Sequence, residues 1–114
     1  MDDAAAFPKP PLAVLQQRAE EAAQLLASMA NAKRLLVLCH LVEGERSVGE
    51  LATIVGLSQS ALSQHLGKMR LQGLVKTRRD AQTIFYSLAS REVRAVLETL
   101  FELYCAPLAE GSAA

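Results

Sequence analysis

Residues 58–70 read SQSALSQHLGKMR, and they carry the most informative pattern in the sequence. The spacing of Leu62, Leu66 and Met69 (i, i+4, i+7) predicts a helix with one buried stripe. The other face of this helix carries serine and glutamine instead of the glutamate and lysine of an ordinary solvated helix. Because these side chains donate and accept hydrogen bonds, they can read base edges and phosphates in a DNA major groove. A plain polar surface helix is the alternative interpretation.

The residues before this helix predict a second, shorter one. Ser47 and Glu50 form an S-x-x-E capping box at its start. Gly56 suits the left-handed position at its end, and Ser58 can cap the helix that follows. A short helix, a turn with glycine and a second helix make a helix-turn-helix, whose second helix enters the major groove. Gly67 costs that helix about 1 kcal/mol of propensity, which close approach of another backbone would explain.

A basic β-hairpin is predicted after the recognition helix. Residues 75–79 and 82–88 favour strands, with Asp80 and Ala81 at the turn. A hairpin in this place is a wing, able to reach the DNA backbone or minor groove, and a merely solvated tip is the alternative. Its candidate DNA contacts are Arg78, Arg79 and Gln82.

Helices are predicted on both sides of this unit. The seam from Leu12 to Met29 has apolar residues spaced 3, 4, 3, 4 and 3, which predicts one helix that joins a dimer interface or packs on its own core. Asn31 can cap a central, buried helix over residues 32–42, and residues 43–46 form the turn that follows. Ser90 caps the last helix, residues 91–106. Its predicted apolar stripe is Val93, Val96, Leu97, Leu100 and Tyr104.

The length of 114 residues fits one domain. The predicted fold is mainly α with a small β-hairpin, in the order α-α-α-α-β-β-α of a winged helix-turn-helix. We predict a disordered tail at residues 1–11 and a DNA-binding and dimerisation domain at residues 12–106. Residues 107–114 are predicted to form a C-terminal tail.

The net charge is zero, but its distribution is uneven. Residues 58–88 hold five basic residues against one acidic residue, a plausible footprint for DNA. No apolar run of about 18 residues and no basic leader is present, so we expect a cytoplasmic protein without a membrane partner. The chain shows no nucleophile–base pair, glycine-rich phosphate loop or carboxylate dyad, so we predict no catalytic residue and no enzyme. No closed zinc site is evident, and no metal or cofactor is predicted.

Four strings resemble the ArsR-type (arsenic-resistance repressor) family of winged-helix regulators. They are residues 31–35 (NAKRL), 57–66 (LSQSALSQHL), 73–75 (GLV) and 78–86 (RRDAQTIFY). The resemblance spans about residues 15–106. It implies a homodimer that represses by occupying double-stranded operator DNA and releases it on binding an inducer.

The resemblance also implies roles for individual residues. The dimer would join through the first and last helices, at Leu15, Ala19, Ala22, Leu97, Leu100 and Tyr104. The DNA contacts would be Gln59, Ser60, Ser63, Gln64, Arg79 and Gln82. From their charge and position, we also predict DNA contacts at Lys68 beside the polar face and at Arg78 in the hairpin. We interpret His65 as a packing or capping residue, with a phosphate contact as the alternative.

Two sensing sites common in the family have no counterpart here. A Cys-x-Cys pair at the start of the helix-turn-helix is replaced by residues 47–49 (SVG), and the last helix contains no His or Asp. One thiol on the central helix, Cys39, and one on the last helix, Cys105, are similar to the sulfide- and persulfide-responsive (BigR- and SqrR-like) members. The resemblance therefore implies reactive sulfur species as inducer, with the two thiols closing a di- or polysulfide bridge.

Other interpretations of the cysteines remain open at this point. Free cysteine often packs as a small hydrophobe, and an apolar surrounding would raise the pKa of Cys39 and slow its reactions. The inducer could instead be a metal, haem or a general oxidant. A winged-helix module for protein interaction is the alternative from another functional class.

Overall fold

The computed structural model describes residues 11–106, over which six helices and three strands confirm the predicted winged helix-turn-helix. The helices are α1 (Leu12–Gln17), α2 (Ala19–Met29), α3 (Ala32–Val42), α4 (Val48–Val55), α5 (Gln59–Leu71) and α6 (Arg91–Tyr104). The strands are β1 (Arg46–Ser47), β2 (Val75–Asp80) and β3 (Thr83–Leu88). The predicted tails lie outside the described residues, except for Pro11 at the start of α1.

The helix-turn-helix of α4 and α5 forms as its caps predict. The Glu50 N–H donates to Ser47 Oγ (3.2 Å), and the Ser47 N–H donates to a Glu50 carboxylate oxygen (2.8 Å). Gly56 ends α4 with φ +71°, a left-handed conformation that glycine adopts without a steric penalty. Ser58 Oγ then accepts from the Ala61 N–H (3.1 Å) and starts α5. The turn between the two helices is therefore determined by local hydrogen bonds.

One hydrophobic core joins all the longer helices. The predicted stripe of α5, Leu62, Leu66 and Met69, is completely buried. It belongs to a cluster that includes, from the other elements, Val37, Leu38, Leu51, Val93 and Leu97. Burial of this stripe turns the serines and glutamines of α5 toward solvent.

The wing is a three-stranded sheet, which corrects the prediction that residues 43–46 are only a turn. Arg46 and Ser47 form β1 and pair antiparallel with Tyr86 and Phe85 of β3. The strand order is β1-β3-β2. A two-residue strand shows no alternation of polar and apolar residues, so its partner alone reveals it. Through β1, the base of the wing is attached to the residue that caps α4.

The turn of the hairpin lies one residue later than predicted. Asp80 still belongs to β2 and pairs with Thr83, so the two connecting residues are Ala81 and Gln82. Ala81 has φ +57°. A positive φ in a two-residue hairpin turn matches the twist of the strands, although it costs a non-glycine residue about 1–2 kcal/mol.

The prediction of a single N-terminal helix is wrong, because the helix is interrupted at Arg18. The Arg18 N–H donates to the carbonyl of Leu15 (3.0 Å), three residues back, with φ −113° and ψ 16°. Its guanidinium then pairs with Glu21 through two hydrogen bonds (2.9 and 3.0 Å). Among the described residues, α1 buries no side chain.

The corner between α2 and α3 bends the chain by 92°. Asn31 caps α3 as predicted, because its Oδ1 accepts from the N–H groups of Lys33 (2.9 Å) and Arg34 (3.1 Å). Ser28 is buried and donates to the Gln72 side chain, which ties the end of α2 to the end of α5. Within residues 11–106 no single helix could cross a membrane, and α2 and α3 reach that length and composition only as a bent pair.

Two helices expose more apolar surface than predicted. In α3, Val37, Leu38 and Leu41 are buried, but Leu36 is 45% exposed, so the helix is not covered all round. α6 ends at Tyr104, two residues earlier than predicted, and this tyrosine is 70% exposed. The stripe of α6 therefore packs on the core as far as Leu100 and Phe101, and its last residue, Tyr104, is exposed.

Candidate nucleic-acid interface and thiol pair

The exposed face of α5 presents polar groups without partners. Its predicted DNA contacts, Gln59, Ser60, Ser63, Gln64 and Lys68, are all exposed. None of their side chains makes a hydrogen bond within residues 11–106. Gly67 lies among them, where it opens a shallow groove beside Lys68 and Arg70. Donors and acceptors that are not used internally are available to base edges and phosphates.

We expect Gly67→Ala to stabilise the fold by roughly 1 kcal/mol, because a Cβ built at this helical position meets no atom within 4 Å. If α5 approaches DNA closely here, the same variant binds operator DNA more weakly. Urea denaturation and fluorescence anisotropy with a selected operator duplex measure the two effects. Gly73→Ala is the matched control and should destabilise the protein, because Gly73 has φ +75°. An unchanged operator affinity for Gly67→Ala would contradict the close approach.

Of the three DNA contacts predicted in the wing, two side chains have no hydrogen-bond partner within the described chain and the third is paired. Arg79 and Gln82 are exposed and make no side-chain hydrogen bond within the described chain. Arg78 instead donates two hydrogen bonds to Glu45 (3.0 and 2.8 Å), and its guanidinium lies 4.9 Å from the centre of the Phe85 ring. These hydrogen bonds raise the pKa of Arg78 and lower the pKa of the Glu45 carboxyl. Arg78 therefore stabilises the wing through Glu45, whereas the Arg79 side chain is available to bind a ligand.

His65 occupies the flank of α5, as its predicted packing role requires. Its Nδ1 accepts a hydrogen bond from Arg34 Nε (2.9 Å), which reaches across from α3. Burial lowers the pKa of His65, and the charges of Arg34 and Lys68 lower it further. Sequence reasoning missed Arg34. The available signal was a basic residue in the first turn of a helix, where the helix dipole disfavours a cation.

The two thiols come from distant parts of the sequence. Cys39 is half-buried on α3 and packs against the hydrophobic core. Cys105 is exposed at the C-cap of α6, and both thiols are free. Burial raises the pKa of the Cys39 thiol, and the charge of Cys105 raises it further. Cys105 is the more accessible of the two thiols.

The residues predicted for a dimer interface fall into three groups by exposure. Leu15, Ala19 and Tyr104 are exposed, and Ala22 and Leu100 are half-buried. Leu97 differs from the prediction, because it is completely buried in its own core and offers no side-chain surface to a partner.

No metal site is evident between residues 11 and 106. Within that range no three His, Cys, Asp or Glu side chains lie close enough together to hold an ion. Structural zinc requires about four such ligands with tight spacing.

Comparison with known proteins gives matches in sequence and in structure. Residues 31–77 match the profile described as bacterial regulatory protein, arsR family. The chain is 53% identical over 91 residues to the transcriptional activator HlyU of Vibrio cholerae serotype O1, covering 80% of this chain and 84% of that protein.

Two solved structures show the same fold. Reduced HlyU from Vibrio cholerae N16961 superposes with a TM-score of 0.76 at 53% identity, covering 80% of this chain and 96% of that one. The transcriptional repressor BigR from Xylella fastidiosa superposes with a TM-score of 0.79 at 40% identity, covering 85% and 99%. At this level of identity and coverage the similarity shows a common family as well as a common fold.

Proposed function

Because the chain belongs to the arsR family of bacterial regulatory proteins, and is a DNA-binding transcriptional regulator and not an enzyme, we propose that its two thiols switch a homodimeric repressor. In this proposal residues 12–106 form the DNA-binding and dimerisation domain. The observation that carries the proposal is a pair of free thiols, Cys39 half-buried on the central helix α3 and Cys105 exposed at the C-cap of the last helix α6. The solved relatives include one described as reduced and one described as a repressor.

The DNA contacts divide between the recognition helix and the wing. Gln59, Ser60, Ser63 and Gln64 would read base edges in the major groove, because their amides and hydroxyls have no partner in the described chain. Lys68 would bind a phosphate beside them. In the wing, Arg79 and Gln82 would meet the backbone or minor groove. Arg78 would act on DNA mainly by holding the wing against Glu45.

A homodimer would cover the apolar surface that the single chain leaves open. Leu12, Leu15 and Leu26 of α1 and α2 are more than half exposed, as are Leu103 and Tyr104 at the end of α6. Apolar surface on this scale marks an interaction site in a water-soluble domain. A partner would also supply the support that α1 lacks in the single chain. Paired subunits can then place two recognition helices in half-sites about 34 Å apart.

The chemistry begins at the more exposed thiol. The Cys105 thiolate attacks the terminal sulfur of a low-molecular-weight persulfide (RS–SH). A bond forms between Cys105 Sγ and that sulfur, the RS–S bond breaks, and RS⁻ leaves. The product is a Cys105 persulfide, and the thiol proton passes to water. Cys39 attacks second, because its raised pKa keeps its thiolate fraction low.

The second step closes a bridge in one of two ways. The Cys39 thiolate attacks Cys105 Sγ and expels hydrosulfide, which leaves a disulfide. Alternatively, a second RS–SH first extends the persulfide by one sulfur and releases RS⁻. Cys39 then attacks the inner added sulfur and expels hydrosulfide, which leaves a trisulfide. In both cases the two thiols are oxidised and one sulfane sulfur is reduced to hydrosulfide.

A bridge would connect two elements that hold different parts of the molecule. Cys39 is on α3, which packs in the core, whereas Cys105 caps α6, whose last residues are exposed. Drawing the end of α6 toward α3 would move the surface that faces a partner subunit. A rotation of the dimer would then take the two recognition helices out of register with their half-sites.

Intact-mass spectrometry tests this proposal. The reduced protein is treated in parallel with glutathione persulfide, glutathione disulfide and hydrogen peroxide. We expect a Cys39–Cys105 bridge with added sulfur only after persulfide, and no bridge in Cys39→Ser or Cys105→Ser. Equal formation of a plain disulfide with all three reagents would make the protein a general oxidant sensor. If neither thiol is modified, the switch is refuted, and a metal or haem inducer becomes the interpretation to test.

A further inference from the structure

The first turn of α3 contains two basic residues, which the preferences for helix N-termini do not explain. Lys33 and Arg34 are the second and third residues of α3, after Ala32, and this turn contains no acidic residue. A cation near a helix N-terminus is unfavourable by about 0.3–1 kcal/mol. Residues that break a local preference are usually retained for a tertiary or functional contact.

Each of these cations holds one helix of the helix-turn-helix. Lys33 Nζ donates to the carbonyl of Val55, the last residue of α4, at 2.6 Å. Here the positive charge meets the negative end of a helix dipole, which is favourable. Arg34 Nε donates to Nδ1 of His65 in α5 at 2.9 Å. Neighbouring residues of α3 thus fasten α4 and α5 separately.

We propose that Arg34 is a positioning residue for DNA recognition, which fixes α5 against α3 through a bond that requires a neutral His65 ring. The proposal rests on the DNA-binding role of α5 and is independent of the thiol switch. His65 lies between the buried Leu62 and Leu66 and the exposed Gln64. A bond on this flank therefore sets the rotation of α5 about its axis, and with it the direction of the polar face.

The protonation state of His65 decides whether the bond exists. A neutral imidazole has one acceptor nitrogen, and here Nδ1 accepts, so the proton is on Nε2. A protonated ring has no acceptor and would repel the guanidinium. The charged groups that act on His65 are Arg34 from α3 and Lys68 from α5, and no carboxylate in the described chain opposes them. Burial and these two charges keep the ring neutral near pH 7.

The lowered pKa of His65 determines how the stability of the fold changes with pH. The pKa of His65 is lowered on folding, so the unfolded chain takes up a proton first as the pH falls. The contribution of this group to stability is complete above the ordinary histidine pKa of about 6.5 and is lost as the pH falls below it. Operator affinity should fall over the same range.

Arg34→Ala separates positioning from direct contact. We expect its affinity for an operator duplex, selected from random sequence, to fall about tenfold, the value for one lost hydrogen bond. The salt dependence and the affinity for random duplex should stay unchanged. If both affinities fall together and the slope against log salt drops by about one, Arg34 binds a phosphate and the proposal is refuted. An unchanged operator affinity also refutes it.

The His65 variants provide the matched series. His65→Ala should be as weak as Arg34→Ala, and the double variant no weaker than either. In His65→Asn the amide oxygen replaces Nδ1 as acceptor but does not titrate. This variant should keep operator affinity near pH 7 and lose the decline below about pH 6.5. A wild-type pH profile in His65→Asn would place the titrating group elsewhere and overturn the proposal.

A spectroscopic measurement keeps the proposal testable even if a variant folds poorly. Nitrogen-15 chemical shifts of His65 in the reduced wild-type protein should show an unprotonated Nδ1 and a protonated Nε2. The opposite tautomer, or a charged ring at pH 7, would refute the inferred contact. These experiments use reduced protein throughout, so failure of the thiol switch would not affect them.

Discussion

Treatment with glutathione persulfide is expected to lower the operator affinity of the wild-type protein by about 5- to 150-fold, the usual range of coupling between two sites. Cys39 is half-buried on α3, whereas Cys105 is exposed at the C-cap of α6. A covalent bridge between them is expected to move α6 relative to α3. Fluorescence anisotropy with a selected operator duplex, before and after treatment, measures the loss.

Two serine variants are the controls for this result. Cys39→Ser and Cys105→Ser should bind the operator like the reduced wild type and keep that affinity after treatment. Each variant retains one thiol that can carry a persulfide, so bridging is separated from simple modification. A reductant should restore the wild-type affinity. If Cys39→Ser loses DNA binding as fully as the wild type, modification of Cys105 alone is sufficient and the bridge is not the switch.

Replacement of Leu66 by alanine is expected to lower the free energy of unfolding by about 2–5 kcal/mol. Leu66 is completely buried in the core stripe of α5. Its truncation leaves a cavity between α5 and the helices that support it. Because a domain of this kind is stable by only about 5–15 kcal/mol, a large part of the total is lost. Urea denaturation followed by circular dichroism measures the change.

The same helix offers the control for that experiment. Leu71, at the end of α5, is 90% exposed. Leu71→Ala removes the same atoms but should change the unfolding free energy by no more than about 0.5 kcal/mol. Comparable losses at the two positions would mean that α5 does not present its Leu62–Leu66–Met69 stripe to the core.

The order of the elements was predictable because its signals are local. The capping box of Ser47 and Glu50, the left-handed Gly56 and the Ser58 cap each act within a few residues. The stripe of α5 follows from the helical period alone. These same features direct the serines and glutamines outward, so the exposure of the candidate DNA-binding face was also predictable.

The errors lie where a distant partner decides the outcome. Strand β1 exists because β3 supplies hydrogen bonds to Arg46 and Ser47. The heptad spacing predicts which residues form an apolar seam, but it does not predict that the helix is straight. The helix is interrupted at Arg18, next to a segment with no buried side chain. The periodicity of α6 places Leu97 on the apolar stripe, but it does not tell whether Leu97 faces the core of its own chain or a partner subunit. The packing of the single chain places Leu97 in the core.

Local signals were sufficient to predict the helix-turn-helix, the wing and the residue types of the candidate DNA-binding face, because periodicity and capping act over a few residues. The packing of the helices determined which distant side chains meet. It brought Arg34 to His65 and Arg78 to Glu45, and it left Cys39 half-buried and Cys105 exposed. Such pairings depend on how the helices pack, and packing depends on the summed contacts of the whole core.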